Sequence, residues 1–139
     1  MNDARNTATA ALLLRLSLGT MFVAHALLKI FVFTPAGTAQ FFESLGLPGV
    51  FGYATIAAEL VGGALLILGV RTRVVALALV PVLIGATWVH AGNGWLFSAP
   101  KGGWEFPAFW TVALVVQALL GDGAFALRWS GGPTALQRA

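Results

Sequence analysis

Apolar residues along this chain form long continuous runs instead of the alternating pattern of a half-buried strand. A membrane-spanning helix needs about 20 mainly apolar residues. Four stretches reach or approach that length, at about 8–33, 50–70, 74–91 and 106–127. The pattern predicts an all-α integral membrane four-helix bundle, because a helix bonds all its backbone polar groups internally. A β-barrel does not fit, since its strands would alternate apolar and polar residues.

The longer connections between these stretches carry their own signals. Residues 34–49 place aromatic and apolar residues at helical spacing and end in Gly46, which predicts a short interfacial helix with a glycine C-cap. Residues 92–105 are rich in Gly, Pro and Trp, which indicates turns at the level of the lipid headgroups. We expect residues 1–139 to form a single domain with a mobile tail over 129–139.

Composition supports the membrane prediction and excludes several classes of protein. Charged residues make up 9% of the chain, whereas about 25% is typical of a soluble domain. Apolar residues reach 58%, so a soluble enzyme or a disordered chain does not fit. The net charge is only +3, and no basic cluster is larger than Arg71 and Arg73, which argues against nucleic acid as a partner. The chain has no cysteine, which excludes disulfides, iron–sulfur clusters and covalent c-type haem.

The positions of the basic residues predict an orientation. With four spans, both termini and the short loop at Arg71 lie on one side of the membrane. The basic residues of that side are Arg5, Arg15, Arg71, Arg73, Arg128 and Arg138. The other side has Lys29 and Lys101. The positive-inside rule then places the termini in the cytoplasm, with the chain in a bacterial inner membrane and the first helix kept as a signal anchor.

The candidate chemistry lies in the outer half of the predicted bundle. Glu59 is near the middle of the second span, where a carboxyl must be protonated, paired or facing a polar cavity. Its natural partners are His25 and Lys29, four residues apart on one face of the first span. We predict Glu59 and His25 as catalytic residues and Lys29, Glu59 and His90 as ligand contacts. The alternatives are a buried ion pair, a snorkelling lysine and ordinary structural histidines.

Four other polar residues are predicted to be structural. Arg15 and Asp122 lie at comparable depth near the inner side, where they would neutralise each other as a pair. The setting Gly121-Asp122-Gly123 fits a helix-end turn equally well. Gln117 is a buried amide that needs a partner, and Arg73 lies in the inner loop. No metal ligands are predicted.

Small residues and a proline shape the predicted spans. Ala54, Ala58 and Gly62 follow one another at intervals of four, which favours close helix packing and also leaves space for a flat ligand. Pro81 predicts a kink in the third span.

The polar residues and their neighbours also resemble a known family, the DoxX family of small four-helix bacterial membrane proteins. The opening-helix pattern is Arg15-Leu16-x-Leu18-Gly19-x-x-Phe22-x-x-His25-x-x-x-Lys29. The later pieces, in order, are Leu45-Gly46-Leu47-Pro48, Ala58-Glu59-x-x-Gly62-Gly63, Leu68-Gly69-x-Arg71-Thr72-Arg73 and the loosely matching Gly121-Asp122-Gly123. The resemblance covers about residues 10–128, and the ordered set is more specific than any one motif.

This resemblance implies a link to redox chemistry. Members of the family are linked to respiratory or sulfur-oxidising quinone oxidoreductases, to thiol and oxidative-stress complexes and to quinone resistance. The polar residues that match are Arg15, His25, Lys29, Glu59 and Arg73. The absence of cysteine argues against a dithiol mechanism in this chain.

Three functional hypotheses follow. The first is a component of a quinone-linked redox or oxidative-stress system, which binds a quinone-like or small apolar ligand in the outer half of the bundle. The second is a non-catalytic anchor or assembly subunit for a partner oxidoreductase, because no self-contained active site is evident. The third is a small-solute or metal-handling protein; a b-type haem on His25 and His90 is disfavoured by a depth difference of about 9 Å. A lipid bilayer and a protein partner or second copy are the expected contacts.

Overall fold

A computed structural model describes residues 2–127. That part of the chain is helical, without strands, and its helices are α1 (Asp3–Phe31), α2 (Pro35–Ser44), α3 (Val50–Leu68), α4 (Thr72–Ala91) and α5 (Glu105–Leu120). The all-α prediction is therefore confirmed over these residues. The tail predicted to be mobile, 129–139, and the basic residues Arg128 and Arg138 lie outside the described part.

Three helices have the length and composition of membrane spans. They are α1 with 29 residues, α3 with 19 and α4 with 20. The fourth apolar helix, α5, is shorter at 16 residues. Large apolar side chains such as Leu13, Val61 and Phe109 are exposed on the outside of these helices. An outer surface of this kind suits lipid, so the chain is a membrane protein by its helices.

The long helices pack in a ring around one apolar core. Helix α1 contacts α3 and α5, and α4 contacts α5 and α3, while α2 packs mainly on α3. The buried side chains of the core include Leu18, Phe22, Leu66, Leu79 and Leu114. Arg15, in the first half of α1, meets the end of α3, whereas Lys29, near the end of α1, meets Glu59 in the middle of α3, so these two helices are antiparallel. We call the end of the bundle at Arg15 the Arg15 end, and the opposite end, which carries α2 and the loop 92–104, the α2 end.

Two helices, α2 and α3, end at a glycine, and the glycine C-cap predicted for Gly46 at the end of α2 is present. At the end of α2, Gly46 has φ +79° and the amide of Leu47 donates to the carbonyl of Phe42 at 3.0 Å. At the end of α3, Gly69 has φ +75° and Val70 donates to Leu65 at 3.0 Å. Both arrangements are Schellman motifs, in which a left-handed glycine lets the chain reverse over the last helical carbonyls.

The predicted fourth span of 106–127 was too long. Helix α5 ends at Leu120, because Gly121 and Gly123 adopt φ values of +83° and +71° that a helix does not allow. Residues 121–127 instead turn back across the Arg15 end. There the amide of Ala124 donates to Ala8 and that of Leu127 donates to Leu68, each at 3.0 Å.

Helices α1 and α3 approach most closely at a pair of glycines. A Cβ added to Gly19 would lie 2.7 Å from the carbonyl oxygen of Gly63, and one added to Gly63 would lie 2.8 Å from that of Gly19. The adjacent Gly62 faces the other way, where its added Cβ would lie 2.8 Å from Leu79 of α4. The predicted close packing therefore uses two faces of α3. Helix α4 continues through Pro81.

Candidate functional site

The centre of the candidate site is an ion pair between α1 and α3. The ammonium of Lys29 donates to both carboxylate oxygens of Glu59, at 2.8 and 3.1 Å. The side chain of Glu59 is 6% exposed and that of Lys29 is 19% exposed. Within residues 2–127, no other ion pair is present. The sequence-based pairing of Glu59 with Lys29 is thus present, and the carboxylate is almost completely shielded.

Helix α2 covers this pair from one side. Thr38 of α2 donates its hydroxyl to the carbonyl of Thr34 at 3.0 Å and also lies 3.5 Å from the carbonyl oxygen of Lys29. Gly52 of α3 lets the backbone of α2 approach, because an added Cβ would lie 3.0 Å from the Cα of Ala39. The helix predicted at 34–49 therefore packs over the end of α1 and the first half of α3.

His25 faces a different neighbourhood from the ion pair. Its Nδ1 donates to the carbonyl of Met21 in its own helix at 2.9 Å, so in a neutral ring Nε2 is the acceptor nitrogen. The ring centroid is 4.9 Å from that of Trp110 and 6.4 Å from that of Phe106, both on α5. No hydrogen bond joins His25 to Glu59 among the described contacts. His25 lies one turn of α1 before Lys29, the partner of Glu59, so the two predicted catalytic residues are linked only through α1 and Lys29.

Trp110 is a residue that the sequence reasoning missed. It is 4% exposed, and its ring stacks obliquely on Phe22 with centroids 4.5 Å apart. Its indole Nε1 is buried without a hydrogen-bond partner. A buried indole usually bonds its N–H, so this donor, beside the ring of His25, is available to an acceptor. Its position three residues after Pro107 on the buried face of α5 was the only signal in the sequence, and any core tryptophan gives the same signal.

His90 lies in the last turn of α4, and its ring bonds the loop that follows instead of the residues around Glu59. Its Nδ1 donates to the carbonyls of Lys101 and Gly102 at 3.1 and 3.0 Å, and Asn93 donates to Gly102 at 2.8 Å. The carboxylate of Glu105 accepts from the amide of Phe97 at 2.9 Å. The hydrogen bonds described for these two side chains therefore join them to the loop 92–104 and not to Glu59. A ligand-contact role for His90 stays a prediction.

Arg15 has a structural position at the other end of the bundle. It is 1% exposed, and its guanidinium donates to the carbonyls of Leu66, Ile67 and Ala124 at 3.1, 2.8 and 2.9 Å. The first two carbonyls belong to the last turn of α3, where the helix dipole favours a cation. Arg15 therefore ties the end of α3 to the segment 121–127.

The predicted pair of Arg15 with Asp122 does not form. Instead, Oδ1 of Asp122 accepts from the amide of Thr72 at 3.0 Å and so satisfies a free amide in the first turn of α4. Gln117 donates to the carbonyl of Gly121 at 2.9 Å, and the guanidinium of Arg73 lies against the same glycine. The alternative prediction of a helix-end turn at 121–123 is the correct one.

Two further observations concern possible ligands. Within residues 2–127, no three His, Asp or Glu side chains lie together as a metal site would need. An open apolar groove of about 400 Å³ lies between α4 and α5, lined by Ile84, Thr87, Trp88, Ala91, Ala108 and Thr111. The groove contains no titratable side chain, so it is distinct from the predicted site of proton chemistry.

Comparisons with known proteins place these features in context. The model of the DoxX family matches residues 10–92, which include most of α1, all of α2 to α4 and both members of the Lys29–Glu59 pair. A Bacillus subtilis protein named "Putative oxidoreductase CatD" is 44% identical over 75 residues, which are 54% of this chain and 54% of that protein. The aligned part thus spans about half the length of the curated relative. No solved structure matches the chain.

Proposed function

Because the chain belongs to the DoxX family, we propose that it is the membrane component of a quinone-linked redox or oxidative-stress system. In this proposal α1, α3, α4 and the shorter α5 cross a bacterial inner membrane, with both termini in the cytoplasm. The observation that carries this proposal is the shielded Lys29–Glu59 pair in the outer half of the bundle. The name of the Bacillus subtilis relative, an oxidoreductase, supports a redox role for the matched region.

The energetics of the pair favour a functional role over a purely structural one. Burying two charges costs several kcal/mol per ion, and their attraction returns little net stability compared with apolar residues of the same size. The Gly19–Gly63 contact already holds α1 against α3 without any charge. The pair is therefore more than packing requires, and ionisable groups inside a membrane are functional by default.

The residues that face α5 around His25, one turn of α1 from the pair, fit a quinone. A quinone has a flat apolar ring with two carbonyl acceptors, and when bound it supplies two-electron, two-proton chemistry. The buried N–H of Trp110, which lacks an acceptor, can donate to a quinone carbonyl, and Nε2 of a neutral His25 ring can accept from a hydroxyl of the reduced quinol. The aromatic rings of Phe106 and Trp110 offer apolar faces. Lys29 is positioned to donate a proton in a hydrogen bond, and Glu59 to hold one as a general base.

A non-catalytic anchor is the second candidate, and one observation favours it. Both carboxylate oxygens of Glu59 are already bonded to Lys29, so the pair is complete without a ligand. In that case the pair sets the register of α1 against α3, and a partner oxidoreductase carries out the catalysis.

The test is the quinone content of gently purified protein. Lipid extracts of the wild type, Glu59→Gln and a control, Glu43→Gln, would be analysed by mass spectrometry together with absorption spectra. Glu43 is the matched control because it is an exposed carboxylate on α2 at the same end. We expect stoichiometric quinone in the wild type and the control and its loss from Glu59→Gln. No quinone in any sample, together with a tightly held partner subunit, would favour the anchor.

A further inference from the structure

The bundle contains two polar centres, one at each end. The first is the Lys29–Glu59 pair, which lies beneath α2. The second is at the Arg15 end, where the side chains of Arg15, Gln117 and Asp122 bond the backbone. Arg15 and Gln117 are almost completely buried. A polar path between the two centres would let the Lys29–Glu59 pair exchange ligands and protons with both sides of the membrane. Without such a path, exchange is restricted to one side.

An apolar layer separates the two centres. It is formed by Leu18, Phe22, Leu66, Leu79 and Leu114, which are between 0% and 3% exposed. The stretches of the other helices that cross this level, 60–68 of α3, 74–86 of α4 and 112–116 of α5, contain no polar side chain. In α1, Ser17 and Thr20 are both at exposed positions outside the core, and the hydroxyl of Ser17 bonds its own helix at Leu13. The core therefore offers no chain of polar groups through which a proton can pass.

The Arg15 end is also closed by the backbone. Residues 121–127 run across it and are bonded to three helices, through Arg15 and Ala8 of α1, Leu68 of α3 and Thr72 of α4. Gly123 lies directly on α1, since an added Cβ would be 2.8 Å from the Cβ of Ala11. At the α2 end, helix α2 covers the pair from one side, and the side chain of Lys29 keeps 19% of its surface exposed.

We propose that the Lys29–Glu59 site is accessible only from the α2 end, so that water, protons and any ligand head group enter and leave on that side alone. The inference rests on the proposed function in treating this pair as the reactive site. For a redox component, it means that protons taken up or released at Glu59 exchange with the same side of the membrane as the loop 92–104. The segment 121–127 acts as the seal of the opposite end.

Cysteine accessibility tests this directly, because the natural chain contains no cysteine. The variants Lys29→Cys and Glu59→Cys would be placed in sealed vesicles of both orientations and treated with a membrane-impermeant cationic thiol reagent. Ser98→Cys, in the exposed loop at the α2 end, and Arg71→Cys, exposed at the Arg15 end, mark the two sides. Leu114→Cys in the apolar layer is the buried control.

We expect Lys29→Cys and Glu59→Cys to react only in vesicles in which Ser98→Cys reacts, and Leu114→Cys to react in neither orientation. Reaction from the side of Arg71→Cys would overturn the proposal, as would folded protein that reacts from neither side. Two variants at the site keep the test decisive where one of them does not fold. The readout involves no quinone, so loss of the proposed function and loss of sided access are seen in separate experiments.

Discussion

Replacing Lys29 or Glu59 alone by an apolar residue should lower the stability of the protein by unequal amounts. Lys29→Met leaves the carboxylate of Glu59, which is 6% exposed, without its two hydrogen bonds and its counter-charge. Glu59→Leu leaves the ammonium of Lys29, which is 19% exposed and sits on a flexible stem. A lysine can turn its ammonium towards water, whereas the buried carboxylate cannot follow.

The magnitudes follow from this difference in burial. Removing one partner of a buried pair costs about 3–5 kcal/mol, and we expect Lys29→Met to fall in that range. The partial exposure of Lys29 reduces the cost of Glu59→Leu to about 1–3 kcal/mol. The double variant Lys29→Met with Glu59→Leu leaves no charge unpaired, so we expect its stability to lie within about 1 kcal/mol of the wild type.

The assay is reversible unfolding in a fixed detergent micelle, followed as a double-mutant cycle. Purified wild type, both single variants and the double variant would be unfolded in parallel. Simple additivity of the single losses would refute the reasoning, and so would a larger loss from Glu59→Leu than from Lys29→Met. The double variant also separates stability from function, because it should fold well and yet carry no quinone.

Three further predictions can be checked with the same unfolding assay. Gly63→Ala should lower the free energy of unfolding by about 1–3 kcal/mol, because its Cβ meets the backbone of α1. The control Gly85→Ala has open space around it and should raise that free energy by about 0.5–1 kcal/mol. Equal effects of the two variants would contradict the close contact. Arg15→Lys should lower the free energy of unfolding by about 2–4 kcal/mol, since a single ammonium cannot replace the guanidinium that bonds both the end of α3 and Ala124. Faster hydrogen exchange at the amide of Ala124 should accompany this loss. Thr72→Val should stabilise by about 1 kcal/mol by removing a buried, unpartnered hydroxyl; a loss would show that the hydroxyl has a partner.

The helices of this protein were predictable because their signals are local. Continuous apolar runs gave the helices, and Gly46 marked the end of α2 through a left-handed conformation that depends on glycine alone. The error at the end of α5 has the same origin. Residues 124–127 are as apolar as a span, and only the positive φ angles of Gly121 and Gly123 turn them back.

Side-chain partners were predictable only where depth in the bundle restricts the choice. Glu59 had few cations within reach, so its pairing with Lys29 followed from the antiparallel arrangement of α1 and α3. Arg15 had a carboxylate at similar depth, yet it bonds carbonyls at the end of α3 instead. Backbone carbonyls are present at every helix end and leave no mark in the sequence, which is why the Arg15 contacts were not foreseen.

The shortness of α5 has a consequence for the lipid around the protein. Its 16 residues extend roughly 24 Å at ~1.5 Å per residue, whereas the hydrocarbon core of a bilayer is about 30 Å thick. Helix α1, with 29 residues, is longer than that thickness requires. In the proposed arrangement, in which α5 also crosses the bilayer, hydrophobic mismatch falls on one flank of the protein, where the bilayer must thin or the helix pair α4–α5 must stay nearly upright. Lipid beside α5 would then be strained, so a neighbouring protein on that flank would replace costly lipid and gain association free energy there before it forms any specific contact.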